Sequence, residues 1–282
     1  MKLKRNLAIG GLLAGGILAA SAPAQAFSFT TNADFSNAPD GNIFLDSIKV
    51  DNGPLVTDFS FVNRAEIIAN DAVYTGTGAE SESEGAASSD LGDSATGTRA
   101  NDPTEADIVS SLGNNNLNNI VDTEDGQNFS DRRGNFEINV FFESRVSQVY
   151  FWERGMNSVL GVQAIDEDGN VIGNFLEIGK STVNGGYDPG NGYEWDDAGF
   201  DIDTQEISGS NQPQSVGSLG LDLSDFGVNT HIAGLKLISE APKYNGPDFK
   251  VVGASVPEPA TVAGLLMVGG ALVAARRRKQ EA

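Results

Sequence analysis

A regular alternation of apolar and polar side chains in the second half of the chain limits its fold more than any other feature. Between Phe136 and Phe142, apolar residues occupy every even position. A period of two is typical of a β-strand with one buried face. The sequence therefore predicts a strand here, and related runs predict strands over residues 146–152 (after a tight connection), 159–165, 171–178, 219–223, 232–238 and 249–254.

Turn-forming residues separate these runs. Asp166–Asn170 has the composition of a hairpin turn, and the strand-like residues 44–50 and 59–62 stand on either side of the turn signal Asp51–Pro54. We find no convincing amphipathic helix and no repeat of fixed period. The pattern predicts an all-β fold, an antiparallel β-sandwich or jelly roll.

Residues 75–131 have a different composition from the rest. Gly, Ser, Asn, Asp, Glu and Thr dominate, and no aromatic residue lies between Tyr74 and Phe129. Such a segment buries too little apolar surface over its whole length to offset the entropy lost on ordering. We predict a long polar loop or disordered excursion, with a short helical turn near Glu105–Leu112 after Pro103.

Charge and cysteine content exclude several classes of function. Residues 27–256 contain 37 of the 39 acidic and 11 of the 18 basic residues, which gives a formal charge of −26. This charge repels nucleic acids and anionic membranes, so we expect neither as a partner of this part. The chain has no cysteine, which excludes disulfides, thiol catalysis and Cys-ligated metals.

The N-terminal residues 1–26 have the order of an export signal. Three basic residues in the first five positions precede an uncharged run over 7–20, and Ala24-Gln25-Ala26 ends the segment. Small residues at Ala24 and Ala26 suit a signal peptidase that cuts before Phe27. We therefore predict a cleaved signal peptide.

The C-terminal residues 256–282 form a second segment of three parts. Pro257-Glu258-Pro259 precedes an apolar run over 260–275, which is followed by Arg276, Arg277, Arg278 and Lys279. The run would be about 24 Å long as a helix, close to the lower limit for crossing a bilayer. Four basic residues after it would hold that end in the cytoplasm. We predict a short transmembrane helix.

This arrangement resembles the PEP-CTERM family of sorting domains, which membrane proteases called exosortases recognise. The resemblance implies that Pro257, Glu258 and Pro259 are a processing signal, and that the tail is cut so that the protein is released or attached at the surface. An ordinary single-span anchor is the alternative. Residues 234–238 and 246–253 look like the closing strands of ectodomains found with such tails, and the chain is similar to exosortase-dependent surface proteins of cyanobacteria.

We therefore expect an ectodomain over residues 27–255 between the two signals. The expected partners are a signal peptidase, an exosortase-like protease and, transiently, the inner membrane through the C-terminal helix. The expected location is the cell surface or the extracellular space.

His231 and the Asp166–Asn170 turn offer little sign of chemistry. The chain has one histidine and no G-x-S-x-G motif, so a structural or exposed role for His231 is favoured over a catalytic one. Glu177 stands twelve positions into a loop counted from Asp166, as in a calcium loop, but the ligand spacing departs from that pattern. A polar hairpin turn is the favoured interpretation.

The Gly/Pro-rich loop that begins at Tyr187 is the most suggestive stretch. Tyr187, Tyr193 and Trp195 could stack on a sugar. Calcium could be held by Asp188, Asp196, Asp197 and Asp201, and we expect no other cofactor. The simpler alternative, which we favour, is that the aromatic side chains of the loop cap the core.

We predict a non-enzymatic surface or extracellular-matrix protein. The alternative is a lectin-like module that binds exopolysaccharide, with or without calcium. A secreted hydrolase is the weakest candidate, because no nucleophile or general base stands out.

Overall fold

The computed structural model describes residues 26–39, 41–51, 53–74, 83–85, 87–91, 103–123, 135–181, 186–203, 213–240 and 243–255. In these ranges the chain forms sixteen β-strands and one α-helix. Every pairing between strands is antiparallel. The predicted all-β, antiparallel fold is confirmed.

The longest strand, β10 (Phe136–Arg154), organises the molecule. Its first half pairs with β5 (Val62–Asn70) and β15 (Ile232–Ser239). Its second half pairs with β14 (Gln214–Asp222) and β16 (Phe249–Ser255). The prediction of two strands joined by a tight connection is wrong, because the backbone stays extended and changes partners through shifts in pairing register.

The two halves of β10 face each other. The rings of Phe136 and Phe249 lie 6.2 Å apart, and Phe249 pairs with Glu153 near the other end of β10. The strand must therefore turn back on itself between these points. We call the turning segment, residues 143–148, the bend end of the molecule, and the opposite end, around residues 154–159, the far end.

Further strands extend each half into a sheet, and the two sheets form a sandwich. In the first sheet, β11 (Val159–Ile165) adds to β15, and β12 (Val171–Gly179) adds to β11. In the second sheet, β13 (Asp196–Ile202) adds to β14. On its other side, β4 (Phe59–Ser60) and β9 (Asn119–Thr123) pair with β16, and β8 (Ala87–Leu91) pairs with β9.

The main core lies between these sheets. Even-numbered residues from Phe136 to Phe142 point into it, whereas Val149 and Phe151 do so in the second half. The change of phase occurs where the pairing of β10 with β16 shifts register, between Val146 and Val149. Each large side chain buried in this way contributes about 1.5–3 kcal/mol of stability.

A second core covers the outer face of the second sheet. There Tyr150 and Trp152 meet a small sheet of β1 (Phe29–Asp34), β2 (Phe44–Val50) and β3 (Leu55–Val56). Phe29 packs edge-on against both rings, and the Trp152 indole N–H donates to the Thr31 hydroxyl at 2.9 Å. The N-terminal sheet is thus fixed to the sandwich.

Part of the polar segment 75–131 is folded. Helix α1 (Glu105–Leu112) lies where a helical turn is predicted, and Thr104 caps it. Ile108 and Leu112 are buried in the main core, and β9 is buried throughout. The predicted long loop is therefore wrong for residues 103–123, because their few apolar residues are buried in the two cores. Two short strands, β6 (Ala72–Tyr74) and β7 (Ser83–Gly85), pair with each other.

The two end segments lie outside the described residues. The signal peptide before Ala26, the helix over 260–275, Pro257–Pro259 and Arg276–Lys279 therefore remain predictions from the sequence. In the part of the chain that the structure describes, no helix is both long enough and apolar enough to cross a membrane.

Candidate functional site

The last described residue, Ser255, lies two residues before the Pro-Glu-Pro motif. The Ser255 backbone N–H donates to the Asp58 carbonyl at 3.0 Å, and the residue pairs with Val146 of β10. Gly253 and Ala254 are held between β10 and β4. The last residue of β16 is therefore anchored on both sides, and only Val256 separates it from Pro257.

The predicted signal cleavage site lies beside β14 in the same sheet. Phe27 donates its backbone N–H to the Gly220 carbonyl and accepts the Gly220 N–H, both at 3.0 Å. Its ring lies edge-on to Tyr150, with 5.9 Å between centroids. Gly220 makes this contact possible, since a Cβ there would lie 2.3 Å from the ring of Phe27.

We call Phe27 and Ser255, where the two signals join the ectodomain, the two junctions. At both of them the chain points toward the same end of the domain. Phe27 pairs with Gly220, Gly220 with Tyr150, and Tyr150 with Val252, which places three strand spacings, or about 14 Å, between Phe27 and Val252. All these pairings are antiparallel, so the chain entering Phe27 and the chain leaving β16 both lie on the bend-end side. A leader and a tail would therefore emerge side by side.

The predicted sugar-binding rings are divided by the structure. Tyr193 and Trp195 are each 7% exposed and pack against the main core. The Trp195 indole N–H donates to the Ser158 carbonyl at 2.8 Å, and the Tyr193 hydroxyl bonds to Asp225 at 3.2 Å. Neither ring presents a free face to a ligand, so the idea of a three-ring platform is wrong and these two side chains cap the core instead.

Tyr187 is half-buried and belongs to a different cluster at the far end. The Glu177 carboxylate accepts hydrogen bonds from Tyr187 at 2.8 Å, Lys243 at 2.6 Å and Tyr244 at 2.5 Å. Partial burial raises the pKa of Glu177, but these three donors outweigh that effect and hold the pKa below its ordinary value. The Lys243 ammonium also lies 4.4 Å from the Tyr187 ring centroid. Glu177 thus ties β12 to the two loops that carry Tyr187 and Lys243.

The four predicted calcium ligands are separately engaged. Asp188 pairs with Lys180 at 3.0 Å, Asp196 accepts from the Ser28 hydroxyl, and Asp201 accepts from Ser215 at 2.9 Å. Asp197 accepts the Gly199 N–H at 2.8 Å. Within the described ranges, no three acidic or histidine side chains are placed to hold a metal ion. The structure gives the calcium hypothesis no support.

His231 is exposed at the bend end, beside a polar depression of about 300 Å³. Arg145 and Glu167 also line it, and their side chains are bonded to each other at 2.7 Å. The nearby Asp166–Asn170 segment is a hairpin turn, in which the Asp166 carboxylate accepts the Asn170 N–H at 2.9 Å. The favoured interpretation of that segment therefore agrees with the structure.

Three buried charged residues with strongly shifted pKa values were missed by sequence reasoning. Burial raises the pKa of Glu153 to about 8 and lowers that of Lys250 well below its usual range. Burial and the neighbouring Asp122 carboxylate raise the pKa of Asp248, which pairs with Arg154 at 3.5 Å. In the sequence, the only sign of such a group is a charged residue within or beside an apolar strand, such as Lys250 between Phe249 and Val251.

Comparison with known proteins identifies one feature. The family described as the PEP-CTERM protein-sorting motif matches residues 255–279. No curated protein and no solved structure matches the chain. The match confirms the predicted sorting signal, which begins at the last residue of β16, and it implies export and association with the surface or the membrane. The similarity to cyanobacterial surface proteins remains a prediction.

Proposed function

We propose that the chain is an exported, non-enzymatic cell-surface or extracellular-matrix protein that an exosortase-type system processes at its C-terminal motif. The PEP-CTERM match over residues 255–279 carries this proposal. A signal peptidase removes the leader before Phe27, and an exosortase-type protease acts at Pro257–Pro259.

The position of the two junctions supports this order of events. Both signals leave the ectodomain at the bend end, so one end of the domain faces the membrane throughout export. The four residues between Ser255 and the apolar run allow a distance of at most about 18 Å between Ser255 and Ala260. The ectodomain is therefore held close to the processing site, and the far end, with the Tyr187 and Glu177 cluster, points away from the membrane.

The positions of the ionisable groups with shifted pKa values support a structural role. Glu153 and Lys250 are fully buried within the sheets. The Ser158 hydroxyl donates to Glu153, and Lys250 donates to the Ser111 carbonyl at 2.5 Å. Such groups lie where no substrate reaches them, which favours a role in the fold over catalysis. Of the three rings that could stack on a polysaccharide, only Tyr187 is not buried in the core, so we do not adopt the polysaccharide-binding alternative.

The mass of the exported protein tests the proposal. We expect a product that begins at Phe27 and ends near Pro257–Pro259, without Arg276–Lys279. The variant Glu258→Ala should accumulate with the basic tail retained, whereas the matched tail variant Glu281→Ala should be processed normally. A wild-type product that retains Arg276–Lys279 would show a simple anchor and refute the processing.

A further inference from the structure

The first residue after the predicted cleavage point is already part of the fold. Phe27 forms two backbone hydrogen bonds with Gly220 at 3.0 Å each, and its half-buried ring packs into the second core. The hydroxyl of the next residue, Ser28, donates to the Asp196 carboxylate, and the Ser28 backbone carbonyl accepts the Asp51 N–H at 3.3 Å. The backbone nitrogen of Phe27 is therefore held at a fixed place.

That nitrogen lies beside an acidic depression. Residues 26–28 line one side of a space of about 210 Å³, and the other side is lined by Gly192, Glu194, Asp196 and Leu219. None of these lining residues is basic. Asp196 approaches because β13 pairs with β14 at Ser218, two residues before Gly220. Two carboxylates thus share a depression with a backbone nitrogen that lies at the predicted cleavage point.

We propose that the amino terminus created by cleavage is a structural element of the mature protein, held by Gly220 and neutralised by Glu194 and Asp196. The inference rests on the proposed export, because it needs a cut after Ala26. Hydrolysis breaks the Ala26–Phe27 amide bond, and one water supplies the hydroxyl of the new Ala26 carboxyl and a hydrogen of the new Phe27 amine. That amine takes up a further proton at neutral pH.

The cut changes both charge and hydrogen bonding at this point. The amide has one donor, which the Gly220 carbonyl accepts, whereas the ammonium has three donors and a positive charge. Two donors are then available to the carboxylates of the depression, and charge-assisted hydrogen bonds are stronger than neutral ones. Because Phe27 leads into β1, removal of the leader stabilises the attachment of the N-terminal sheet.

Thermal unfolding of matched chains tests this inference. Chain 27–282 in detergent is compared with the same chain carrying Ala26 at its start. We expect the Ala26 chain to melt lower by about 2–4 °C, since both carboxylates are exposed and such pairs contribute modestly. The double variant Glu194→Gln/Asp196→Asn should remove this difference, while Asp46→Asn, an exposed acid on β2, should preserve it. Equal melting of the two wild-type chains would overturn the inference.

The reactivity of the amine gives a second measurement that does not depend on stability. In folded chain 27–282, the carboxylates should raise the pKa of the Phe27 amine and slow its acylation at pH 7 about threefold or more relative to the unfolded chain. Glu194→Gln/Asp196→Asn should restore the faster rate. An amine that reacts as fast in the folded wild type as in the unfolded chain would contradict the inference.

The two hypotheses fail in different ways. N-terminal sequencing of the exported protein shows whether Phe27 is the first residue. Any other first residue overturns the proposed cleavage and this inference with it. A product that begins at Phe27 but shows equal melting and a freely reactive amine leaves the export intact and overturns only the role of the amino terminus.

Discussion

At the scale of single residues, Glu153 links the stability of the protein to pH. Its carboxyl is fully buried, and burial raises its pKa to about 8 from an ordinary value of 4.5. Between these two values the folded protein keeps the proton while the unfolded chain has released it. Raising the pH through this window therefore favours the unfolded state, and the contribution of Glu153 to stability falls from about pH 5 to about pH 8.

The variant Glu153→Gln tests this linkage, because glutamine keeps the shape of the protonated acid and does not titrate. We expect the free energy of unfolding of the wild type to fall relative to the variant by about 1 kcal/mol per pH unit between pH 5 and 8. Urea unfolding at pH 5.5, 6.5 and 7.5 measures the difference. Parallel pH curves for the two proteins would show that Glu153 is ionised in the fold.

Trp195 should matter for stability and not for ligand binding. Its ring is 7% exposed, and its indole N–H bonds to the Ser158 carbonyl. Trp195→Ala should lower the free energy of unfolding by about 3–5 kcal/mol through the cavity it leaves. Phe175→Ala, which removes a ring that is 43% exposed, should cost much less. Denaturant unfolding compares them, and similar small losses for both would contradict the buried role of Trp195.

At the scale of elements, side-chain alternation fixes where most strands lie but not how they connect. The predicted strands at 159–165, 232–238 and 249–254 fall within one residue of β11, β15 and β16. A tight connection between two strands was predicted at Glu143-Ser144-Arg145, whereas β10 bends there as one continuous strand. The partners that impose the bend lie far away in the sequence. The burial of Tyr193 and Trp195 and the half-burial of Tyr187 likewise depend on the distant strands β12 and β14, so the local sequence could not distinguish these rings.

Ser60 stabilises the bend of β10. Its hydroxyl donates to the Ser144 carbonyl at 3.0 Å and accepts the Ser144 N–H at 2.8 Å. Ser60→Ala leaves both backbone groups without this partner, and we expect a loss of about 1–3 kcal/mol in the free energy of unfolding. Ser215→Ala removes an exposed hydrogen bond to Asp201 and should change it by less than about 0.5 kcal/mol. If thermal and urea unfolding rank the two variants equally, the bend does not depend on Ser60.

At the scale of the whole molecule, the strand directions give the ectodomain a defined orientation. The chain enters at Phe27 and leaves at Ser255 on the same side, although 227 residues of fold lie between them. This follows from antiparallel pairing of Phe27, β14, β10 and β16 in one sheet. The tail sequence alone could predict the destination of the protein, but it could not show which end of the domain faces the membrane.

Fluorescence quenching in nanodiscs tests this orientation, and the absence of cysteine allows single-site labelling. In chain 27–282, a dye at Glu143→Cys lies at the bend end, while a dye at Ser215→Cys lies at the far end, where Ser215 accepts the Gly155 N–H. Ser215 stands seven residues along β14 from Asp222 at the bend end, about 23 Å away.

Because the link from Ser255 to the apolar run spans at most about 18 Å, quenching lipids should reduce the fluorescence at Glu143→Cys at least twofold more than at Ser215→Cys. Cutting the chain from the disc with a protease should remove quenching at both sites. Equal quenching before the cut would mean that the domain tumbles freely on its tail. Stronger quenching at Ser215→Cys would reverse the orientation and would place the Tyr187 and Glu177 cluster against the membrane.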